Sequence, residues 1–169
     1  KSLTIGANNV GGNVNNAGDL NLKTGTLGNN ISGNGATNVL ANNSLAIANG
    51  KSVSNLVLKD GATLNQMTPT GTDIAYETVT IGTLGVEDGK TANMTFDVSA
   101  SDNDQVAIST SASGTLNLTG IRIDGDLTQS KIDLFTADNN DKLSGLTIKQ
   151  AIIATDIEGE KYYAFTQNA

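Results

Sequence analysis

The sequence predicts an all-β fold in which successive turns of chain stack as a solenoid. Apolar and polar residues alternate over short stretches along nearly the whole chain, and Gly, Asn, Asp, Ser or Thr bound each stretch. Helix signals are nearly absent, apart from the ambiguous segment Leu143 to Ile153. The alternating sets are Leu3/Ile5, Leu20/Leu22, Leu45/Ile47, Leu56/Leu58, Val79/Ile81, Leu84/Val86, Met94/Phe96/Val98, Val106/Ile108, Leu116/Leu118, Ile121/Ile123, Ile132/Leu134 and Leu146/Ile148.

An antiparallel sandwich or barrel would also give many short strands, and the turn dipeptides distinguish it from a solenoid. A two-residue hairpin at Asp60-Gly61 would place Leu58 opposite Thr63 and Leu56 opposite Asn65, so apolar side chains would face polar ones. Three further dipeptides give the same mismatch: Asn49-Gly50, Asp88-Gly89 and Asp124-Gly125. Four mismatches predict that these dipeptides turn corners between faces of one core and do not reverse the chain.

Residues 1–66 are predicted to form asparagine-rich rungs, since 15 of these 66 residues are Asn against six in the remaining 103. Asparagine tolerates left-handed backbone and bonds to nearby amides in turns. Identical amides on successive strands also form hydrogen-bonded ladders. The alternative is a disordered low-complexity segment. The retained alternation at Leu20/Leu22 and Leu45/Ile47 favours the ordered rungs.

Residues 66–76 contain the only proline, Pro69, and do not continue the strand pattern. We expect a loop excursion or a change of rung type there, followed by acidic rungs over residues 77–150. Residues 1–66 contain four lysines and two aspartates and carry a net charge of +2. Because the whole chain has a net charge of −7, residues 67–169 carry −9. A chain of this length is expected to form one domain, residues 1–169.

Residues 151–167 are predicted to form an antiparallel hairpin that caps the last strand of the solenoid. A loop at Glu158-Gly159 would match apolar with apolar and charge with opposite charge, in the pairs Asp156/Lys161, Ala154/Tyr163 and Ile152/Phe165.

Composition excludes several classes of function. The chain has no His and no Cys, which removes the usual base at neutral pH, thiolate chemistry and most zinc, haem and iron–sulfur sites. Three Phe, three Tyr and no Trp disfavour a deep ligand pocket. A lone arginine, Arg122, and scattered lysines disfavour nucleic-acid binding. No apolar run approaches the roughly 20 residues that span a bilayer. The first residues, KSLTIGANN, lack a signal-peptide pattern, which predicts a mature protein or an excised piece.

Several acidic and serine motifs are candidate sites. Asp102-Asn103-Asp104 would offer oxygen ligands to calcium, but it lacks the EF-hand spacing and is predicted to form a turn before the next strand. Glu87-Asp88 and Asp124/Asp126 are carboxylate pairs of the kind that cleave polysaccharides. Three nearby serines have no histidine to activate them: Ser109, Ser111 and Ser113. We therefore expect no catalytic residue, no metal ligand and no cofactor, and the binding residues stay unassigned.

Two blocks of sequence resemble one family. VSNLVLKDGATL, from Val53 to Leu64, resembles the recurring phrasing of Gram-negative autotransporter passenger domains, which run valine-glycine-asparagine-leucine and then glycine-alanine-threonine-leucine. The second block resembles a run near the C-terminal end of pertactin-like passengers, and its parts are Phe96 to Val98, Asp104 to Ile108, Ala112 to Leu118 and Lys131 to Ala137. The matches cover roughly residues 40–140. Each match taken alone consists mostly of residues common in any strand or turn. The resemblance therefore depends on the order in which the matches occur.

The resemblance implies a right-handed parallel β-helix, displayed at or released from the bacterial cell surface and tethered in its parent protein by a C-terminal outer-membrane barrel. At about 20 residues or more per repeat, the chain would form roughly seven to eight rungs. The expected function is a rigid stalk or an adhesive surface, with host-surface or matrix components, or the same protein on another cell, as partners. It is expected to bind no nucleic acid and not to insert into the membrane. Two alternatives stay open: a β-helical polysaccharide lyase or hydrolase, and a non-catalytic fragment of a secreted toxin.

Overall fold

The computed structural model describes residues 1–129 and 131–149, together with the backbone of residues 153–155 and 162–164. The prediction of an all-β fold is confirmed. Within the described residues, helical structure is limited to two short 3-10 turns at Ala7–Asn9 and Asn140–Leu143.

The strands are numbered in chain order. They are β1 (Ser2–Gly6), β2 (Val14–Asn15), β3 (Asp19–Lys23), β4 (Gly25–Leu27), β5 (Ile31–Ser32), β6 (Ala36–Val39), β7 (Ser44–Ile47), β8 (Ser52–Leu58), β9 (Thr63–Asn65), β10 (Thr78–Val86), β11 (Thr91–Ser99), β12 (Gln105–Asp124), β13 (Phe135–Thr136), β14 (Gly145–Ile148), β15 (Ile153–Thr155) and β16 (Tyr162–Ala164).

Strands β1 to β14 form one sheet, and every strand pair described within it is parallel. One ladder runs in register through Leu3, Leu20, Thr37, Leu56 and Leu84. Facing residues in neighbouring strands are far apart in sequence, 17 residues between Asn21 and Asn38, for example. Parallel pairing of short strands over such separations is consistent with a solenoid-like fold.

The Asp60-Gly61 dipeptide turns a corner, as predicted. Strand β8 before it pairs with β5, β6 and β10, whereas β9 after it pairs with β7 and β11. The turn is closed by the amide of Ala62, which donates to the carbonyl of Lys59 at 2.9 Å. Gly61 has φ 69°, a left-handed conformation that glycine adopts without steric cost.

The other three dipeptides behave in the same way, with φ 71° at Gly50, 68° at Gly89 and 72° at Gly125. None of them joins two strands that pair antiparallel. Asn42 is the one non-glycine residue with positive φ in the described part of the chain, at 58°. It occupies the turn between β6 and β7, and the expected tolerance of asparagine for left-handed backbone accounts for it.

The interior is one continuous aliphatic cluster that extends from Ala7 to Leu146. Leu56, Leu58 and Leu64 are fully buried, as the corner interpretation requires. Near its C-terminal end the cluster includes an edge-to-face contact between Phe96 and Phe135, with ring centroids 5.9 Å apart.

Asparagine side chains connect successive layers. Asn38 Nδ2 donates to Asn21 Oδ1 at 2.9 Å, which is the amide ladder expected from composition. At the corners, asparagine carbonyl oxygens accept from backbone amides one layer away: Asn13 from Asn30, Asn30 from Ser52 and Asn49 from Thr78. The Asn-rich segment is therefore ordered through these bonds.

Strand positions differ from the prediction near Ile132/Leu134, where the strand lies at Phe135–Thr136. In the described part of the chain this strand pairs with Val106 and Ala107 of β12, so inter-strand register places it directly after the alternating pair. Strands β10 and β12 are each longer than any single alternating set; β10 pairs with β8 and β12, and β12 pairs with β10, β11, β13 and β14.

At the C-terminus, β15 and β16 pair antiparallel, with Ala154 opposite Tyr163 as predicted. The predicted pairs Asp156/Lys161 and Ile152/Phe165, and the Glu158-Gly159 loop, lie outside the described residues.

Candidate binding groove

Residues 66–77 leave the sheet between β9 and β10, and we name this segment the strap. At its start, the side-chain amide of Gln66 takes the place of a strand peptide. Its Oε1 accepts from the amide of Ile47 at 3.1 Å, and its Nε2 donates to the carbonyl of Ile47 at 3.0 Å. The same Nε2 donates to Glu77 Oε2 at 3.1 Å, so the two ends of the strap are joined. Residues 66–76, expected to be a loop excursion or a change of rung type, lie outside the strands.

The neck of the strap is closed by Thr68. Its Oγ1 donates to the carbonyl of Ala75 and accepts from the amide of Ala75, both at 3.1 Å. The residues at the tip, from Pro69 to Asp73, are exposed. The strap therefore has an ordered base and a solvated tip.

Two buried aspartates hold the strap against the sheet. Asp97 accepts from the amide of Thr68 at 2.7 Å and binds both Nε and Nη2 of Arg122. Asp104 accepts from the amide of Glu77 at 2.8 Å and from the amide of Asp97 at 2.5 Å. Both aspartates have zero exposed surface. The bonds between Asp97 and Arg122 are charge-assisted, and such bonds are about twice as strong as neutral ones.

The electrostatics of this cluster favour proton uptake. Burial raises the pKa of Asp104 to about 7, although its two backbone hydrogen bonds oppose the rise, and the charges of Asp97 and Glu77 add to it. Burial also raises the pKa of Glu77, with a further contribution from Asp97. The guanidinium of Arg122 forms its ion pair with Asp97, and neither Asp104 nor Glu77 forms one with any described residue.

The strap forms one wall of a groove of about 400 Å³ on the outer face of β4 and β7. The floor consists of small hydroxyl, methyl and amide side chains, and the wall includes a thioether and a proline ring. The lining residues are Thr24, Gly25, Thr26, Ser44, Ala46, Asn65, Gln66, Met67, Thr68, Pro69, Ala75 and Glu77.

The groove presents mostly neutral polar groups and small apolar side chains. Glu77 is its one charged lining residue, and its hydroxyls and amides offer neutral donors and acceptors. Among its hydroxyl groups, Thr68 Oγ1 is already bonded to the backbone of Ala75 at the neck.

The structure separates the residues of the Asp102-Asn103-Asp104 motif. Asp104 is buried, whereas Asp102 is exposed and its Oδ1 accepts from the amide of Asn103 at 2.9 Å. Asn103 donates to the carbonyls of Asp104 and Asp133. The predicted turn is present, and no group of three potential metal ligands is found within residues 1–129 and 131–149.

Glu87 and Asp124, one residue from each predicted carboxylate pair, make side-chain contacts in the structure. Glu87 lies 3.5 Å from Lys59 Nζ, and Asp60 lies 3.7 Å from Lys90 Nζ, so two stacked corners exchange ion pairs. Asp124 accepts from the hydroxyl of Tyr76 at 3.4 Å.

The three candidate serines, Ser109, Ser111 and Ser113, are exposed on β12. The structure brings Lys142 to this region, where Nζ donates to the carbonyl of Ser109 at 2.7 Å and binds Asp138 at 2.7 Å.

Sequence reasoning missed the roles of Gln66, Glu77 and Asp97. The single arginine, Arg122, could have indicated a buried ion pair, since a guanidinium in an acidic half of the chain is expected to bind a carboxylate. Its partner lies 25 residues away and is specified by strand register, which the sequence pattern did not give to that precision.

Comparison with protein-family models, with curated proteins and with solved structures gives no match to this chain. No helix within the described residues is long and apolar enough to cross a membrane.

Proposed function

We propose that this chain is a structural and adhesive segment of a bacterial surface-displayed passenger, built as a right-handed parallel β-helix of roughly seven to eight rungs. One observation supports this proposal most strongly. The interior is a continuous aliphatic cluster, and small polar side chains on the outer side of the strands lie in register in rows. Such rows repeat at the spacing of the strands, about 4.8 Å, and suit many weak contacts to an extended partner.

One outward row runs through Ser44, Thr63, Asn93 and Asn117, which are facing residues in β7, β9, β11 and β12. Each of the four is partly exposed, and the residue next to each of them in the strand is buried. Beside this row, Thr95 Oγ1 donates to Asn65 Oδ1 at 2.5 Å. We name the first set the Thr63 row. It lies on the same face as the groove, so the two form one polar surface.

The partner is a host-surface or matrix component, or the same protein on an opposing cell. Contacts come from the Thr63 row, from the groove and from the strap. No aromatic side chain lines the groove, so the interaction relies on hydrogen bonds and on repetition of contacts between many copies.

The test uses cells that display the full-length parent protein. A triple variant, Thr63→Ala, Asn93→Ala and Asn117→Ala, removes the polar groups of the Thr63 row. The matched control, Ser109→Ala, Ser111→Ala and Ser113→Ala, removes three exposed hydroxyls from another part of the surface. We expect adhesion to host matrix, or cell settling, to fall several-fold in the first variant and to stay unchanged in the control.

Equal adhesion by the wild type, both variants and a protein lacking residues 1–149 would overturn the adhesive role. The enzymatic alternative has its own readout. Incubation of the purified chain with acidic and neutral polysaccharides is expected to release no new reducing or unsaturated ends, and their release would replace this proposal with a lyase or hydrolase.

A further inference from the structure

The strap is attached to the sheet through ionisable groups at both of its ends. Thr68, near its start, donates to Asp97, and Glu77, at its end, donates to Asp104. If the strap lifted from the sheet, the Glu77 amide would leave Asp104 and water would reach the carboxyl group. The closed strap therefore determines how well Asp104 is solvated.

Asp104 has an unfavourable position for a negative charge when the strap is closed. It has zero exposed surface, and no lysine or arginine of the described residues forms an ion pair with it. Its two hydrogen-bond donors are neutral backbone amides, those of Glu77 and Asp97. Burial without a cation favours the neutral form of a carboxyl group.

The charged groups around Asp104 come from three elements. Glu77 faces it from the strap and Asp97 from β11, and both add negative charge. Arg122, on β12, is bound to Asp97 through both carboxylate oxygens. On its own loop, the neighbouring Asp102 is exposed.

We propose that the strap is a pH-sensitive latch over the groove: the protonated Asp104 carboxyl group holds it closed, and ionisation of Asp104 shifts it towards an open form. Closure completes the groove wall formed by Met67, Pro69 and Ala75, so the shape of the groove changes with pH. This device does not depend on the proposed adhesive role.

The direction follows from linkage. In the closed form the pKa of Asp104 is about 7, and in a solvated open form it returns towards its ordinary value of 3.8. The closed form thus binds the proton more tightly, and acid favours closure. Between pH 4 and pH 7 the opening equilibrium constant is expected to rise up to about tenfold per pH unit, and to level off above pH 7.

Amide hydrogen exchange of the intact chain, followed by NMR and corrected for the intrinsic rate at each pH, measures this opening directly. The reporters are the amides of Thr68 and Glu77, which the closed strap protects. We expect their protection factors to fall at least tenfold from pH 5 to pH 7.5, while core amides such as that of Leu56 change much less. A carbon-detected titration of the Asp104 carboxyl group should show a midpoint near neutrality.

Asp104→Asn removes the charge but leaves one acceptor oxygen for the two backbone amides that the carboxyl group binds, and it should make strap protection independent of pH. Asp73→Asn, at the exposed tip, is the matched control and should keep the wild-type pH dependence. The proposal fails if protection of Glu77 in the wild type does not change with pH, or if Asp104→Asn retains the wild-type slope. If Asp104→Asn does not fold, the two wild-type measurements still decide, because an Asp104 midpoint below pH 5 also overturns the proposal.

Discussion

Asp97 and Arg122 are facing residues in neighbouring parallel strands and form a two-point ion pair. Nε and Nη2 of the guanidinium lie 2.8 and 2.9 Å from the two carboxylate oxygens. The carboxylate has no exposed surface, and the arginine side chain is 18% exposed. Asp97 lies on the outer side of the sheet and is buried because the strap covers it. The ion pair with Arg122 offsets the cost of burying its charge.

Loss of this arginine is expected to be costly. Arg122→Leu leaves a buried carboxylate without its cation and should lower the free energy of unfolding by about 3–5 kcal/mol, as measured by urea denaturation. Arg122→Lys keeps the positive charge but loses the two-point hydrogen bonding of the guanidinium, so it should lower the free energy of unfolding by less than Arg122→Leu. Lys131→Leu breaks the exposed pair with Asp133 and serves as the control, with a change below about 1 kcal/mol. Equal effects of Arg122→Leu and Lys131→Leu would contradict the assigned geometry.

Thr37 is a polar residue inside an aliphatic ladder. It faces Leu20 and Leu56, has zero exposed surface, and its hydroxyl has no hydrogen-bond partner. Thr37→Val replaces that hydroxyl with a methyl group of similar size and should stabilise the protein by about 1 kcal/mol. Thr26→Val, at an exposed position, is the control and should change little. A destabilised Thr37→Val protein would mean that the hydroxyl has a partner.

The corners predict a graded series of glycine variants. Gly61→Ala forces alanine to adopt φ 69° and brings its Cβ within 2.5 Å of Asn42 Oδ1. Gly89→Ala, at φ 68°, meets no atom within 4 Å and should cost only the conformational term, about 1–2 kcal/mol. Gly85→Ala, inside β10 with open space around it, should be neutral or slightly stabilising. Thermal unfolding should give the order Gly61→Ala, Gly89→Ala, Gly85→Ala from least to most stable, and any other order would argue against stacked corners.

The corner asparagines should act through their side-chain oxygens. Asn30 Oδ1 accepts from the Ser52 amide at 3.0 Å, so Asn30→Ala should cost about 1 kcal/mol or more of unfolding free energy. Asn30→Asp keeps the acceptor and should retain most of the stability at neutral pH. If the two variants are equally unstable in urea, the bond to Ser52 contributes nothing.

The sequence was informative wherever neighbouring residues decide the structure. Facing pairs around Asp60-Gly61 predicted a corner because a mismatch of Leu58 with Thr63 is visible within a few residues. The asparagine ladders followed from composition in the same way. The pairing of Ala154 with Tyr163 was also predictable, since a hairpin register is a local property.

The strap and its contacts were not predictable, because each one joins segments distant in sequence. Gln66 meets Ile47 19 residues earlier, and Glu77 meets Asp104 27 residues later. Such pairs depend on the register of several strands together and on the path of the excursion. Alternation also placed Asp97 on the solvent side of its strand, and only the strap explains why it is buried.

The central claim is that successive layers stack in parallel register, and nuclear Overhauser spectroscopy of the unmodified chain tests it most directly. The amide of Asn93 donates to the carbonyl of Ala62 at 2.7 Å. Parallel register predicts strong contacts between the Asn93 amide proton and protons of Ala62 and Thr63. An antiparallel hairpin at Asp88-Gly89 would instead give contacts between Asn93 and Leu84, and observing those in place of the first set would rule out the parallel stacking.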